Sequence, residues 1–173
     1  MVIRSDKREN RVYLSLGTNV GDRLKYLKQA IEKLQVLATE EIEVSYIYES
    51  EPWGNDVLNA FLNCVIQMNT DLQPLALLYR TQEIEKEIGR LKKSIDSEYQ
   101  NRIIDIDILT YNKTTIDSDI LTIPHPLLRK RRFVLLPFSN IAPRFQLPYS
   151  LYSIEKHLAL CKDFLECKRF EAQ

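Results

Sequence analysis

The sequence predicts an α+β fold with a ferredoxin-like βαββαβ core: one antiparallel sheet, helices packed on one face, and a C-terminal extension. Three observations predict it. Patterned segments run in the order strand, helix, strand, strand, helix, strand. Hydrophobic residues make up 45% of the 173 and charged residues 28%, so the chain can bury a core and is too apolar to stay disordered. No internal repeat, low-complexity tract or linker divides it, so 1–173 reads as one domain with 1–10 and about 160–173 at its periphery.

Each element has its own signal. Val12, Leu14 and Leu16 alternate with polar or amphipathic neighbours, which predicts a strand. The turn Gly17-Thr18-Asn19-Val20-Gly21-Asp22 ends it. Leu24, Leu27, Ile31, Leu34 and Ala38 recur at helical spacing, so 22–38 reads as an amphipathic helix. Residues 42–49 and 61–69 are rich in β-formers and read as two strands. Between them Ser50–Ala60 forms a long loop of the kind that often carries function. Pro74 suits the first turn of a helix whose stripe is Leu77, Thr81, Ile84 and Ile88, with Gly89 as its stop. Residues 90–102 are dense in charge and lack a core pattern, which predicts a mobile loop. A strand over 103–111, a hairpin to about 123, a Pro-His-Pro corner, a basic segment and a helix near 133–140 follow. Beyond about 150 one weak amphipathic helix is expected.

Composition excludes several function classes. Lys+Arg and Asp+Glu both number 24, against a bulk nucleic-acid binder that depends on basic excess. No apolar run is long enough to span a membrane, and the start, MVIRSDKREN, does not read as a signal peptide. Cys64, Cys161 and Cys167 show no Cys-x-x-Cys spacing, so neither a disulfide framework nor structural zinc is expected, and the chain reads as cytoplasmic. None of the four glycines belongs to a P-loop or a Gly-x-Gly-x-x-Gly turn. Any phosphate handling therefore falls to side-chain cations and metal ions.

The strongest chemical pattern is Asp105-Ile106-Asp107. Residues two apart on a strand share a face, so both carboxylates point one way, roughly 7 Å apart at Cα, while Ile104, Ile106 and Ile108 point the other. Such a pair suits an oxygen-coordinated cation such as magnesium; the alternative is a solvated sheet face. Glu85 lies near the core stripe of its helix, with Gln82 beside it, and needs a partner there, for which an ordinary salt bridge is an equal reading. Arg90, Lys92, Lys93 and Arg102 precede the acidic strand, and His125, Arg129, Lys130, Arg131 and Arg132 follow the hairpin. Together they suit phosphate; the second cluster by itself reads first as a solvated helix end or a nucleic-acid patch. Asn63 shares a strand face with Phe61 and suits the edge of a planar heterocycle, and Phe133 suits stacking, although each alone also fits a structural role.

Read together, LSLGTNVGD, YESEPWG, FLN, TQEIEKEIGR, RIIDIDIL, TIPHPLLRKRRFVLLP and IAP, in this order from about Tyr13 to Pro148, resemble the 6-hydroxymethyl-7,8-dihydropterin pyrophosphokinase family. The resemblance implies that Asp105 and Asp107 hold two magnesium ions with ATP as co-substrate. It implies that Gln82, Glu85, Ile106, His125 and Arg131 belong to the ATP site. It makes Arg90 and Arg102 catalytic arginines of a mobile loop, Arg102 the more important. Asn63 would hydrogen-bond the pterin between Phe61 and Phe133, and Ser50, Pro52 and Trp53 would edge its pocket. The chain departs from the family pattern at Phe61, where Tyr is frequent, and at Gln100-Asn101-Arg102, where Gly-Pro-Arg is frequent.

The expected activity is transfer of diphosphate from ATP to the pterin's hydroxymethyl group, with release of AMP. The expected partners are ATP and 6-hydroxymethyl-7,8-dihydropterin, with no nucleic acid and no membrane, in a monomer that contacts neighbouring folate-pathway enzymes. Two rival readings are a palm-like two-metal nucleotidyl transferase, which releases pyrophosphate, and a non-catalytic ferredoxin-like module that binds RNA or a regulatory ligand.

Overall fold

A computed structural model describes residues 9–53, 59–89 and 101–171. Its elements are β1 (Asn10–Thr18), α1 (Arg23–Gln35), β2 (Glu43–Val44), β3 (Tyr48–Ser50), β4 (Phe61–Thr70), α2 (Pro74–Ile88), β5 (Asp105–Tyr111), β6 (Ile116–Asp117), β7 (Thr122–Ile123), α3 (Arg132–Ile141), α4 (Ile154–Leu160) and β8 (Cys167–Arg169). The main sheet runs β5-β1-β4-β3-β8, with β2 also paired to β4, and every pairing is antiparallel. β6 and β7 form the small hairpin expected before the Pro-His-Pro corner.

The helix boundaries have local causes. The Asp22 carboxylate accepts the Lys25 N–H at 3.1 Å and starts α1. The Gln35 side chain accepts the Ile42 N–H at 3.0 Å, so the expected helix 22–38 stops at Gln35 and turns back. Pro74 opens α2, and Gly89 at φ 120° closes it, a conformation an L side chain rarely adopts. The single strand expected over 42–49 is two pieces. Ser45 interrupts it, its Oγ accepting the Val65 N–H at 3.0 Å in place of a backbone carbonyl.

Strand alternation builds two cores. Leu14, Leu16, Leu62, Cys64, Ile66, Ile106 and Ile108 pack on one face against Leu27, Leu34, Leu77 and Ile84 of α1 and α2. Each fully buried leucine or isoleucine there contributes about 1.5–3 kcal/mol relative to exposure. The opposite face is not wholly free, as the strand order alone suggests. Tyr13, Val65 and Leu109 pack under Val134, Leu135 and Phe138 of α3 and Ile154 of α4. Tyr13 stacks at 4.6 Å from Phe138. That second core covers one half of the face and leaves the other half open.

Two details lie beyond the reach of periodicity. Leu14 stands opposite Ile108 and Tyr13 opposite Thr110, so Leu109 is an extra, bulged residue. Its carbonyl accepts the His125 N–H at 2.9 Å and thereby sets the corner beside the acidic strand. β8, at only three residues, carries no readable pattern, yet it lengthens the main sheet alongside β3.

Candidate active site

The open half of the sheet is a cleft built by alternation. Asn63 of β4, Gly17 of β1 and Asp105 of β5 lie in one row across three strands, and Val65, Ser15 and Asp107 in the next. Small side chains in the middle strand leave room above it. Gly17 has a specific reason: a Cβ there would lie 3.0 Å from Asn63 Oδ1. The cleft is lined by Ser15, Gly17, Ser50, Glu51, Trp53, Phe61, Asn63, Arg102, Asp105, Asp107, Arg131 and Phe133. Ser50, Trp53, Phe61, Asn63, Arg102, Asp105, Asp107, Arg131 and Phe133, singled out from sequence, thus meet in one place.

The remaining candidates sit around it. Half-buried Pro52 lies between the lining residues Glu51 and Trp53. Glu85 is 3% exposed behind β5, and its Oε1 accepts the Ile106 N–H at 2.7 Å. β5 is an edge strand, so this amide turns outward from the ladder and a buried carboxylate satisfies it. Gln82 is half-buried on α2 and is not among the lining residues. Arg90 lies outside the described residues, with most of the charged segment 90–102.

Charge is dense here. Asp107 is pushed up to about 7, first by desolvation and then by the Asp105 charge beside it, against the pull of Arg131 and Arg102. A carboxylate that resists ionisation next to another is suited to receive a cation. Arg102 bonds Asp105 directly, and Arg131 Nη1 lies 3.9 Å from Asp107. The Arg131 guanidinium sits 5.2 Å from the Trp53 ring centre and 5.6 Å from that of Phe133. Its buried Nε makes no hydrogen bond among the described residues.

His125 is held neutral. Burial, then the Arg131 charge, push its pKa down to about 4. Its Nδ1 accepts the Leu127 N–H at 3.2 Å, which assigns the ring proton to Nε2. Nε2 is 3.8 Å from Asp107 Oδ2, beyond hydrogen-bond length. An N–H donor thus stands beside the acidic pair.

Asn19, Ser15, Gly17 and Glu51 belong to the site's architecture and were not among the sequence candidates. Parity was the available signal for Ser15 and Gly17, which share the Tyr13 side of β1. Asn19 had no such signal. It is 2% exposed; its Oδ1 accepts the Arg102 N–H at 2.6 Å, and its Nδ2 donates to Asn101 Oδ1 at 2.7 Å and to the Asn59 carbonyl at 3.2 Å. One amide therefore ties together the β1–α1 turn, the approach to β4 and the approach to β5. On the pterin-candidate side, Asn63 Nδ2 donates to Ser50 Oγ at 2.8 Å, which fixes the amide plane over the cleft.

The donor set fits magnesium in one particular manner. Among the described residues no three His, Cys, Asp or Glu side chains converge on a metal position. Two carboxylates alone suit an ion whose other ligands are water and phosphate oxygens, as magnesium's commonly are. Among the same residues no helix is long and apolar enough to cross a membrane.

Residues 13–143 match the model of the 7,8-dihydro-6-hydroxymethylpterin-pyrophosphokinase (HPPK) family. The chain is 44% identical over 133 residues to a 2-amino-4-hydroxy-6-hydroxymethyldihydropteridine pyrophosphokinase of Porphyromonas gingivalis, covering 76% of this chain and 90% of that one. It is 43% identical to the Aquifex aeolicus protein of the same name, covering 76% and 80%. Among solved structures it resembles an HPPK-DHPS in complex with substrates, at TM-score 0.69 and 18% identity over 88% of this chain. It also resembles wild-type Plasmodium falciparum HPPK-DHPS, at TM-score 0.70 and 17% identity over 88% of this chain. It spans only 43% and 44% of those two chains, and at such identities they show the fold alone.

Proposed function

The chain belongs to the 7,8-dihydro-6-hydroxymethylpterin-pyrophosphokinase family and is an ATP-dependent pyrophosphokinase of folate synthesis, and from that premise we propose that the cleft on the open half of the sheet carries the transfer. The pterin's hydroxymethyl oxygen attacks the β-phosphorus of ATP. The bond between the β-phosphorus and the oxygen it shares with the α-phosphorus breaks, the hydroxyl proton is lost, and AMP leaves with that bridging oxygen. The observation that supports this reading is that one cleft holds Asp105, Asp107, Arg102 and Arg131 together with Asn63, Phe61 and Phe133. One end suits a polyphosphate and the other a flat, hydrogen-bonding heterocycle.

The residues divide the work. Phe61 and Phe133 offer apolar surface to the pterin, and Asn63, its plane set by Ser50, reads the heterocycle's edge. Arg131, steadied by Trp53 and Phe133, offers its guanidinium to phosphate. His125 offers Nε2–H to a phosphate oxygen as a neutral donor. Arg102, its backbone held by Asn19, stands where charge develops on the transferred group. Glu85 and Ile106 hold the strand behind, and Gln82 and Arg90 are assigned to the nucleotide by the family pattern. Asp105 and Asp107 would hold magnesium, which supplies charge neutralisation at the phosphate oxygens when it is bound with ATP.

The test is a product assay with ATP, magnesium and 6-hydroxymethyl-7,8-dihydropterin. One AMP per pterin consumed is expected, with no AMP when the pterin is omitted. ADP, or free pyrophosphate, would overturn this reading, and pyrophosphate would favour a nucleotidyl transferase.

A further inference from the structure

The first turn of α3 carries two of the cleft's residues, Arg131 as its N-cap and Phe133 within it. This turn is electrostatically awkward. Arg129, Lys130, Arg131 and Arg132 crowd the positive end of the helix dipole, no acidic residue lies in the first turn, and Arg131 supplies no side-chain cap. The missing acceptor comes from far along the chain. Asp163 Oδ2 accepts the Arg132 N–H at 2.9 Å, and Asp163 Oδ1 accepts the Leu165 N–H at 3.2 Å. One carboxylate thus caps α3 and shapes the segment that leads into β8.

That segment then reaches the other wall. The Glu51 N–H donates to the Glu166 carbonyl at 3.1 Å, and the Glu166 N–H donates to Glu51 Oε2 at 2.9 Å. Cys167 pairs with Ser50 and Arg169 with Tyr48, and the Phe170 N–H donates to the Ile47 carbonyl at 2.8 Å. Ser50 orients Asn63, while Glu51 and Trp53 line the cleft. Residues 163–170 therefore join the helix whose first turn carries Arg131 and Phe133 to the strand that carries Ser50 and to Glu51 just beyond it, two residues before Trp53. They lie beyond the 13–143 match to the family.

We propose that residues 163–170 are a brace that sets the separation of the two walls of the heterocycle end of the cleft, with Asp163 as a positioning residue for Arg131 and Phe133. The brace holds both walls in a preformed geometry, and a small misplacement of either is costly to an in-line transfer. This inference rests on the pyrophosphokinase reading for its kinetic consequence.

The experiment compares Asp163→Ala and Asp163→Asn in the full chain. It reads kcat and KM for the pterin, and the emission of Trp53, the chain's one tryptophan, whose ring faces Arg131. Asp163→Ala is expected to lower kcat/KM for the pterin about tenfold and to shift the Trp53 emission. Asp163→Asn keeps an oxygen for the Arg132 N–H and is expected to recover kcat/KM to within about threefold of the parent, with parental emission. If Asp163→Ala does not fold, Asp163→Glu, which displaces the carboxylate by one methylene, takes its place with the same expectation. Parental kinetics and emission in the disruptive variant, even with a lower melting temperature, would overturn the brace. So would an Asn variant no better than Ala. Should the parent show no pterin-dependent AMP, the function reading fails, and the emission comparison still decides the brace.

Discussion

The two halves of one sheet face teach the most when set side by side. Both are built by the same strands and the same alternation. In the sealed half the outward positions are Tyr13, Val65 and Leu109, which are large and apolar, and α3 and α4 dock on them. In the open half they are Ser15, Gly17, Asn63, Asp105 and Asp107, which are small or polar, and a cleft remains. What separates a core from a site here is side-chain size and charge at equivalent strand positions. The backbone is common to both.

The sharpest way to break this comparison is to alter each half and ask which property fails. Asp107→Ala is expected to lower AMP formation about 10³-fold, or about 4 kcal/mol of barrier, and to leave thermal stability at or above that of the parent, because Asp105 loses a repulsive neighbour. Phe138→Ala, in the sealed half, is expected to cost about 3–5 kcal/mol of stability by denaturant titration, with kcat kept while the protein is folded. Reversal of that pattern would mean that the halves are not functionally distinct.

A second step tests the hinge between the halves and the loops. Asn19→Ala removes three side-chain hydrogen bonds at the Arg102 approach. About a thirtyfold loss of kcat is expected, with a smaller change in KM for the pterin. Equal stability and parental kcat would show that Arg102 is held by other means. Smaller still is Gly17→Ala, whose Cβ presses on Asn63 Oδ1. About a tenfold rise in the pterin KM is expected, with the ATP KM nearly unchanged.

The gentlest probe is pH. His125 has its folded pKa lowered to about 4, below the ordinary value near 6.5. Between those two values the unfolded chain binds a proton that the folded chain does not. Its contribution to stability is therefore full above pH 6.5 and is lost as pH falls toward 4. His157, also lowered, acts in the same sense, and Asp107, raised toward 7, acts in the opposite one. Relative to the parent, His125→Gln is expected to gain stability at pH 5 compared with pH 7.5 in denaturant titrations, whatever the sign of the parent's own difference, and that change is this residue's share.

Legibility in the sequence followed the range of the interactions. The stripe of Leu77, Thr81 and Ile84 marks α2 because neighbours on a helix surface are three and four residues apart. Asp105 and Asp107 stand out because two residues on a strand share a face. Glu85 was marked as needing a partner, and one that it has is a backbone amide on an edge strand, Ile106, which helix spacing does not mark. The bulge at Leu109 broke the period on which any reading of β5 beyond Ile108 depends.

The sequence by itself determined the order of the main elements and the apolar faces of β1, α1, β4 and α2, and it paired Asp105 with Asp107 and Phe61 with Asn63, since local periodicity and short spacing encode these; Ser50 and Trp53 were marked only by the resemblance of their motif to a known family. Only the tertiary structure decided that α3 and α4 seal half of the second face, that Asn19 clamps Arg102, and that Asp163 caps a helix 31 residues away. The first depends on apolar side chains of separate elements meeting, and the other two on buried or crowded backbone amides finding an acceptor wherever the fold brings one near. That requirement acts through space and leaves no period along the chain.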